Sequence, residues 1–268
     1  MGYIKSAEAI KYILEGGKIL GEVLEKLGDM VAPGVSTYEI DLKALEMIKS
    51  AGGRAAFLGY QAGRNGKPFP NTICASLNDE VVHGFATKEK ILRSGDIISI
   101  DIGMEYPHGR ADKRGYFTDT AMTVPVGKVD KKYLKLLDVT RESLEQGIRA
   151  CVSGNSVADV GKAVETYVKK AGKYGIVRDL CGHGVGDSVH EDPEVLNYFA
   201  KYLKKWDLRP GVVIAIEPMI TSGGEDVRTD IDGWTVRTAD GSWCGHFEHT
   251  VIITADGPIV ATRRPSEM

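Results

Sequence analysis

Four carboxylates stand inside apolar, strand-like sequence. Asp101 lies between Ile100 and Ile102, and Asp119 between Phe117 and Ala121. Glu217 follows Ile214 and Ile216, and Glu248 precedes Val251 and Ile252. Acidic side chains are seldom buried unless they are paired or bound to metal. If these four converge, like-charge repulsion forces protons onto some of them. A pair of divalent cations removes that conflict by placing about +4 of charge at the same point.

The chain has only six histidines, and two sit where they bear on this set. His183 lies in Gly182-His183-Gly184-Val185-Gly186, where flanking glycines permit a close backbone approach. His190 follows in His190-Glu191-Asp192-Pro193. One imidazole with four carboxylates is a hard, oxygen-rich donor set. It suits Co, Mn, Fe(II) or Zn in a dinuclear site better than a structural zinc, which prefers Cys and His. Other catalytic signatures are missing. There is no GxxxxGK[ST] loop, no GxGxxG and no GxSxG, and Glu194 stands where HExxH needs its second histidine.

These residues need elements to hold them. Residues 7–28 have the spacing of an amphipathic helix, with Ile10, Ile13, Leu14, Gly17, Leu20, Leu24 and Leu27 on one stripe. Ser36 with Glu39 forms a capping box that opens a second helix to about Ala51. The period then changes to two. Ile98, Ile100 and Ile102 share one strand face, and Ser99 and Asp101 the other. Phe117 to Val124 is expected to be the partner strand, with Glu105 to Gly115 as a polar loop between them. The order recurs: helices over 130–151 and 157–172, then strands at 212–217 and 247–254. Helix, helix and paired strands, twice over, suggest a two-fold layout without an interdomain linker, hence a single domain over residues 1–268.

Bulk properties narrow the function class. With 34 basic and 37 acidic residues the net charge is −3, which gives no support for nucleic-acid binding. No apolar run reaches the ~20 residues that span a bilayer. The first six residues lack the apolar stretch of a secretory signal. Cys74, Cys151, Cys181 and Cys244 form no CxxC pair, which points to thiols in a reducing compartment, the cytoplasm.

In order along the chain, Asn78 to Gly84, Ser99-Ile100-Asp101, Thr118-Asp119-Thr120, Gly182 to Gly186, His190 to Pro193, Ile216-Glu217-Pro218-Met219 and Phe247-Glu248-His249-Thr250 resemble type I methionine aminopeptidase. The resemblance implies an α+β pita-bread fold: two pseudo-symmetric halves around a curved antiparallel sheet, with helices outside. It implies two divalent ions, with Asp101 on one, Asp119 and Glu248 bridging both, and His183 and Glu217 completing the other shell. His83 and His190 would contact substrate near the scissile amide. Trp234, Phe57, Tyr60, Phe69 and Cys74 would border a methionine pocket. The implied reaction is attack of an activated water on the first peptide bond of a nascent protein. His190 would stabilise the oxyanion and Glu217 would carry the proton. A monomer working near the ribosome is the corresponding expectation.

Several positions depart from that pattern. Phe57 stands where many members carry a small cysteine, and Val189 replaces an aromatic residue. His246 occupies a glutamine position on the strand face of Glu248, from which it can approach the metal shell. Segments 61–70 and 105–115 are longer than a compact member needs. Two other readings share the fold: an Xaa-Pro aminopeptidase or prolidase, and a binding protein without catalysis.

Overall fold

The computed structural model describes residues 4–61, 66–109 and 115–268. The segments 61–70 and 105–115 therefore fall partly outside the described residues, as does the start of the chain.

The first half contains helices α1 (Ala7–Asp29) and α2 (Thr37–Ser50), then strands β1 (Arg54–Ala55), β2 (Ile73–Leu77), β3 (Glu80–Val82), β4 (Ile97–Tyr106) and β5 (Tyr116–Pro125). The second half opens with α3 (Lys131–Arg149) and α4 (Val157–Ala171). It continues through β6 (Gly175–Ile176), β7 (Gly182–Gly184), β8 (Glu191–Val195), β9 (Val213–Ile216), β10 (Met219–Thr221), β11 (Val227–Thr229), β12 (Val236–Thr238), β13 (Cys244–His246), β14 (Glu248–Thr254) and β15 (Gly257–Val260). The helices begin where the capping signals place them. Glu39 Oε2 accepts from the Ser36 N–H at 2.8 Å while Ser36 Oγ accepts from the Glu39 N–H at 3.3 Å. Asp159 Oδ2 accepts from the Ser156 N–H at 2.9 Å in α4.

One antiparallel sheet runs in the order β1-β4-β5-β14-β9-β7-β8, with β2 on β4 and β15 on β14. The halves join where β5 meets β14, Ala121 opposite Glu248 and Thr120 opposite His249. Beneath the first half, Leu20, Leu24 and Leu27 of α1 and Ile40 and Ile48 of α2 pack on Ile98, Ile100 and Ile102 of β4. Beneath the second, Leu136 and Ile148 of α3 and Val160 and Val164 of α4 pack on Ile214, Ile216, Val251 and Ile253. Each such buried side chain contributes roughly 1.5–3 kcal/mol. This is the curved sheet of the pita-bread fold, with its helices outside.

The helix and main-strand boundaries agree with expectation to within a residue or two, with one clear difference. The β4–β5 ladder extends through Glu105–Phe117 and Tyr106–Tyr116, although Glu105 and Tyr106 are expected to be loop. The charge of Glu105 is accommodated at the strand end by Arg54 Nε at 2.6 Å, so pairing overrides the polar composition.

Candidate metal centre

The packing side of β4 is Ile98, Ile100 and Ile102, so Asp101 is turned to the opposite face. Across β4 and β5, Asp101 pairs with Ala121. Across β5 and β14, the same Ala121 pairs with Glu248. A methyl side chain thus separates two carboxylates in one row, and Asp119, two residues along β5, lies on the same face. His249 pairs with Ile216, which brings Glu217, one residue past the end of β9, level with Glu248. His183 arrives from β7, whose Gly184 pairs with Ile214 of β9. Gly184 has no room for a side chain: a Cβ there would stand 2.2 Å from Asp192 O on the neighbouring strand.

The five side chains converge. Ligand-capable atoms of Asp101, Asp119 and Glu248 lie within 4.8 Å of one another, as do those of His183, Glu217 and Glu248. A further trio joins Asp119, His183 and His190 within the same limit. His183 Nε2 is 3.6 Å from Glu217 Oε1 and 3.9 Å from Asp119 Oδ2, too long for hydrogen bonds.

The electrostatics are those of a site built to receive positive charge. Burial raises Asp101 to about 6, and the nearby Glu217 adds to the effect against a lowering influence of His246. Burial raises Glu217 to about 8. Asp119 is pushed well above the usual carboxylate range by burial and then by Asp101 and Glu217, and Glu248 by burial and then by Asp119, Glu217 and Asp101. Burial also holds His183 down to about 3, with His190 contributing, so its imidazole is neutral and free to ligate. Asp101 Oδ1, Asp119 Oδ1 and Glu248 Oε1 are buried without a hydrogen-bond partner among the described residues. Buried polar atoms are nearly always satisfied, and repelling carboxylates with orphaned oxygens fit divalent cations.

A cleft of about 240 Å³ opens beside this face. That is below the ~300–1,000 Å³ of pockets for drug-sized ligands and suits one side chain. Phe57, Tyr60, Phe69, Cys74, His83, His190 and Trp234, all expected at the pocket, line it. Val189 packs with Phe57, Phe69 and Cys74. The Phe57 ring lies over Gly103, the register partner of Asp119, where an added Cβ would come within 2.8 Å of Cε1. The sequence reading missed Val82, Leu180, Cys181 and Met219, which also line the cleft. Met219 and Val82 stand in motifs already singled out, beside Glu217-Pro218 and His83, whereas Leu180 and Cys181 carry no periodic signal.

The rim holds the two accessory histidines. His190 Nδ1 is 2.9 Å from Tyr60 Oη. Burial raises the Tyr60 phenol above its ordinary range, so it keeps its proton and can either donate to Nδ1 or accept from it. His83 sits in the left-handed region at φ 58° and sets its ring edge-on to Trp234 at 5.9 Å. Burial, with His190 and His246 nearby, lowers it to about 4. His246 reaches the shell from β13: its buried Nε2 is 3.6 Å from Glu217 Oε2. Trp234 Nε1 donates to Lys67 O at 3.0 Å, tying the 230–234 turn to the segment after Tyr60.

Comparison with known proteins agrees with this geometry. The methionine aminopeptidase of Aquifex aeolicus is 42% identical over 258 residues, 96% of this chain and 97% of that protein. Methionine aminopeptidase 1 of Bacillus subtilis is 41% identical over 97% of this chain and 98% of its own. The crystal structure of methionine aminopeptidase from Thermotoga maritima superposes with a TM-score of 0.88 at 35% identity, covering 97% of this chain and 99% of that one. An Xaa-Pro dipeptidase from Bacillus anthracis reaches a TM-score of 0.72 at 20% identity, with 98% of this chain covering 62% of that one, a likeness of fold alone. Residues 11–255 match the sequence model of Metallopeptidase family M24, and the chain belongs to that family.

Proposed function

We propose that this chain is a metalloaminopeptidase that removes the N-terminal methionine from newly made proteins, acting as a single catalytic unit over residues 1–268. The observation that carries the reading is the meeting of three carboxylates and one imidazole–carboxylate pair on one sheet face, beside a cleft sized for one side chain. The near-full-length likeness to methionine aminopeptidases favours this over the prolidase reading.

In this reading Asp101 would hold one of two divalent ions, Asp119 and Glu248 would contribute to both, and His183 and Glu217 would complete the ligands of the other ion. When bound, such ions polarise the scissile carbonyl and yield a nucleophilic water near neutral pH. Glu217 moves the proton from that water to the leaving amine. His190, which lines the cleft, donates to the carbonyl oxygen as negative charge develops. His83, kept neutral, contacts the scissile amide. Phe57, Tyr60, Phe69, Cys74 and Trp234 receive the methionine side chain, whose flexible, polarisable thioether suits an aromatic wall. The enzyme acts on nascent chains near the ribosome, in the cytoplasm and as a monomer; among the described residues no helix is long and apolar enough to cross a membrane.

Hydrolysis of Met-Gly-Met against an Ala-Pro peptide, with metal content determined on the same preparation, tests the reading. Release of methionine by protein carrying two ions is expected. Cleavage of the Ala-Pro peptide alone overturns the substrate, and a protein that takes up no divalent metal overturns the chemistry.

A further inference from the structure

One buried cation takes no part in the reaction just described. The Lys5 side chain is 2% exposed. Its backbone is fixed by the Lys5 N–H donating to Gly211 O at 2.8 Å and by the Ile4–Val212 bridge. From there Nζ crosses to the turn that carries His190, lying 2.8 Å from Asp187 Oδ2 and 2.5 Å from Glu191 Oε2. The other Glu191 oxygen accepts from the Ser188 N–H at 2.8 Å, so one carboxylate couples the lysine to the backbone of the turn. Gly186 N–H donates to Ser188 O at 3.1 Å, and Gly186 O accepts from the Phe117 N–H of β5 at 2.8 Å. His190 is the residue before Glu191. The residue is exposed; its ring meets Tyr60 Oη and lies edge-on to the Tyr60 ring at 5.0 Å and the His183 ring at 4.4 Å. These contacts are made only while the backbone that bears the ring keeps its place.

We propose that Lys5 is a positioning residue: acting through Glu191, it holds the 186–191 turn so that His190 projects into the cleft. The inference rests on the role given to His190 above. An ammonium is buried only where its charge is matched, and removing one partner of a buried pair leaves the other uncompensated. Without Lys5, two carboxylates lose the cation that joins them, and their repulsion loosens the turn from which His190 hangs.

The test is Lys5→Met, which keeps the length of the stem and removes the charge. Because His190 acts on charge that develops in the transition state, kcat for Met-Gly-Met should fall about 10- to 100-fold, the scale of a small misplacement of a catalytic group, with KM unchanged. Calorimetric titration with zinc should give unchanged affinity. In carbon–proton NMR of the zinc-loaded protein, the His190 ring signal should shift or broaden while that of His249, buried behind the sheet, stays put. Wild-type kcat, or a fall in kcat with the His190 signal unmoved, overturns the proposal and leaves Lys5 a merely stabilising role. If Lys5→Met does not fold, Glu191→Gln keeps the side-chain volume and the acceptor for Ser188 while weakening the ion pair. An unmoved His190 signal there is equally fatal. His190→Ala separates the two readings: wild-type turnover in that variant removes the catalytic role of His190, whereas the ring signal reports on the Lys5 clamp regardless.

Discussion

Asp101, Asp119 and Glu248 hang from strands with neighbours on both sides, whereas His83, His190 and Trp234 hang from turns. β4 is laddered to β5 over ten residue pairs and to β2 over five. Asp101 on β4 and Asp119 on β5 cannot move without breaking that ladder. The rim is held by side-chain contacts instead: Tyr60 Oη on His190, the Trp234 indole on Lys67 O, and edge-on rings of His83 and Phe69 against Trp234. The contrast assigns different tolerances. Groups that must share positive charge within a few ångströms sit on rigid backbone, and groups that meet a variable substrate sit on segments that can adjust.

The largest effect should come from breaking the rigid side. On the bridging role proposed for Asp119, Asp119→Ala should lose both ions, with affinity falling by more than the ~100-fold upper range of outer-shell substitutions. A fully metallated Asp119→Ala protein, by elemental analysis, would remove the bridging assignment. Next comes the rim: His190→Ala should keep its metal but lose about 10²–10³ in kcat, the scale of a deleted oxyanion donor, read from steady-state kinetics beside the same metal analysis. A smaller change is expected from Phe57→Cys, which widens the cleft without touching the carboxylates. Metal content should hold while KM for methionyl peptides rises and norleucine or larger residues gain ground, as competition kinetics would reveal.

The smallest effect is thermodynamic. In the metal-free protein, Glu217 is raised to about 8 and Asp101 to about 6. A carboxylate with a raised folded pKa stabilises the fold below its unfolded value and loses that contribution as pH rises through the folded value. The buried histidines, lowered in the fold, are neutral in both states above about 7 and drop out of the balance. The Tm of metal-free protein should therefore decline from pH 7 to 9, and saturating metal should flatten the curve. Differential scanning calorimetry with and without metal measures both.

Much of this was legible in the residues. The alternation of Ile98, Ile100 and Ile102 announced a strand with Asp101 on its far face, and Ser36–Glu39 and Ser156–Asp159 marked two helix starts. Family likeness then named the ligands, but bringing them together depended on register, such as Ala121 facing both Asp101 and Glu248, which period alone does not specify. The three- to five-residue strands β7, β8 and β10–β13 were invisible because so few residues establish no period. The Lys5–Glu191 pair joins positions 186 residues apart and leaves no local trace.

Gly103 does not line the cleft, yet it sets the calibre of the opening. Because it carries no side chain, the Phe57 ring settles down onto the sheet. A single methyl at that position would lift the ring and constrict the opening while leaving every lining residue unchanged. Selectivity in this enzyme can thus be retuned from the floor, by positions that a survey of lining side chains would pass over.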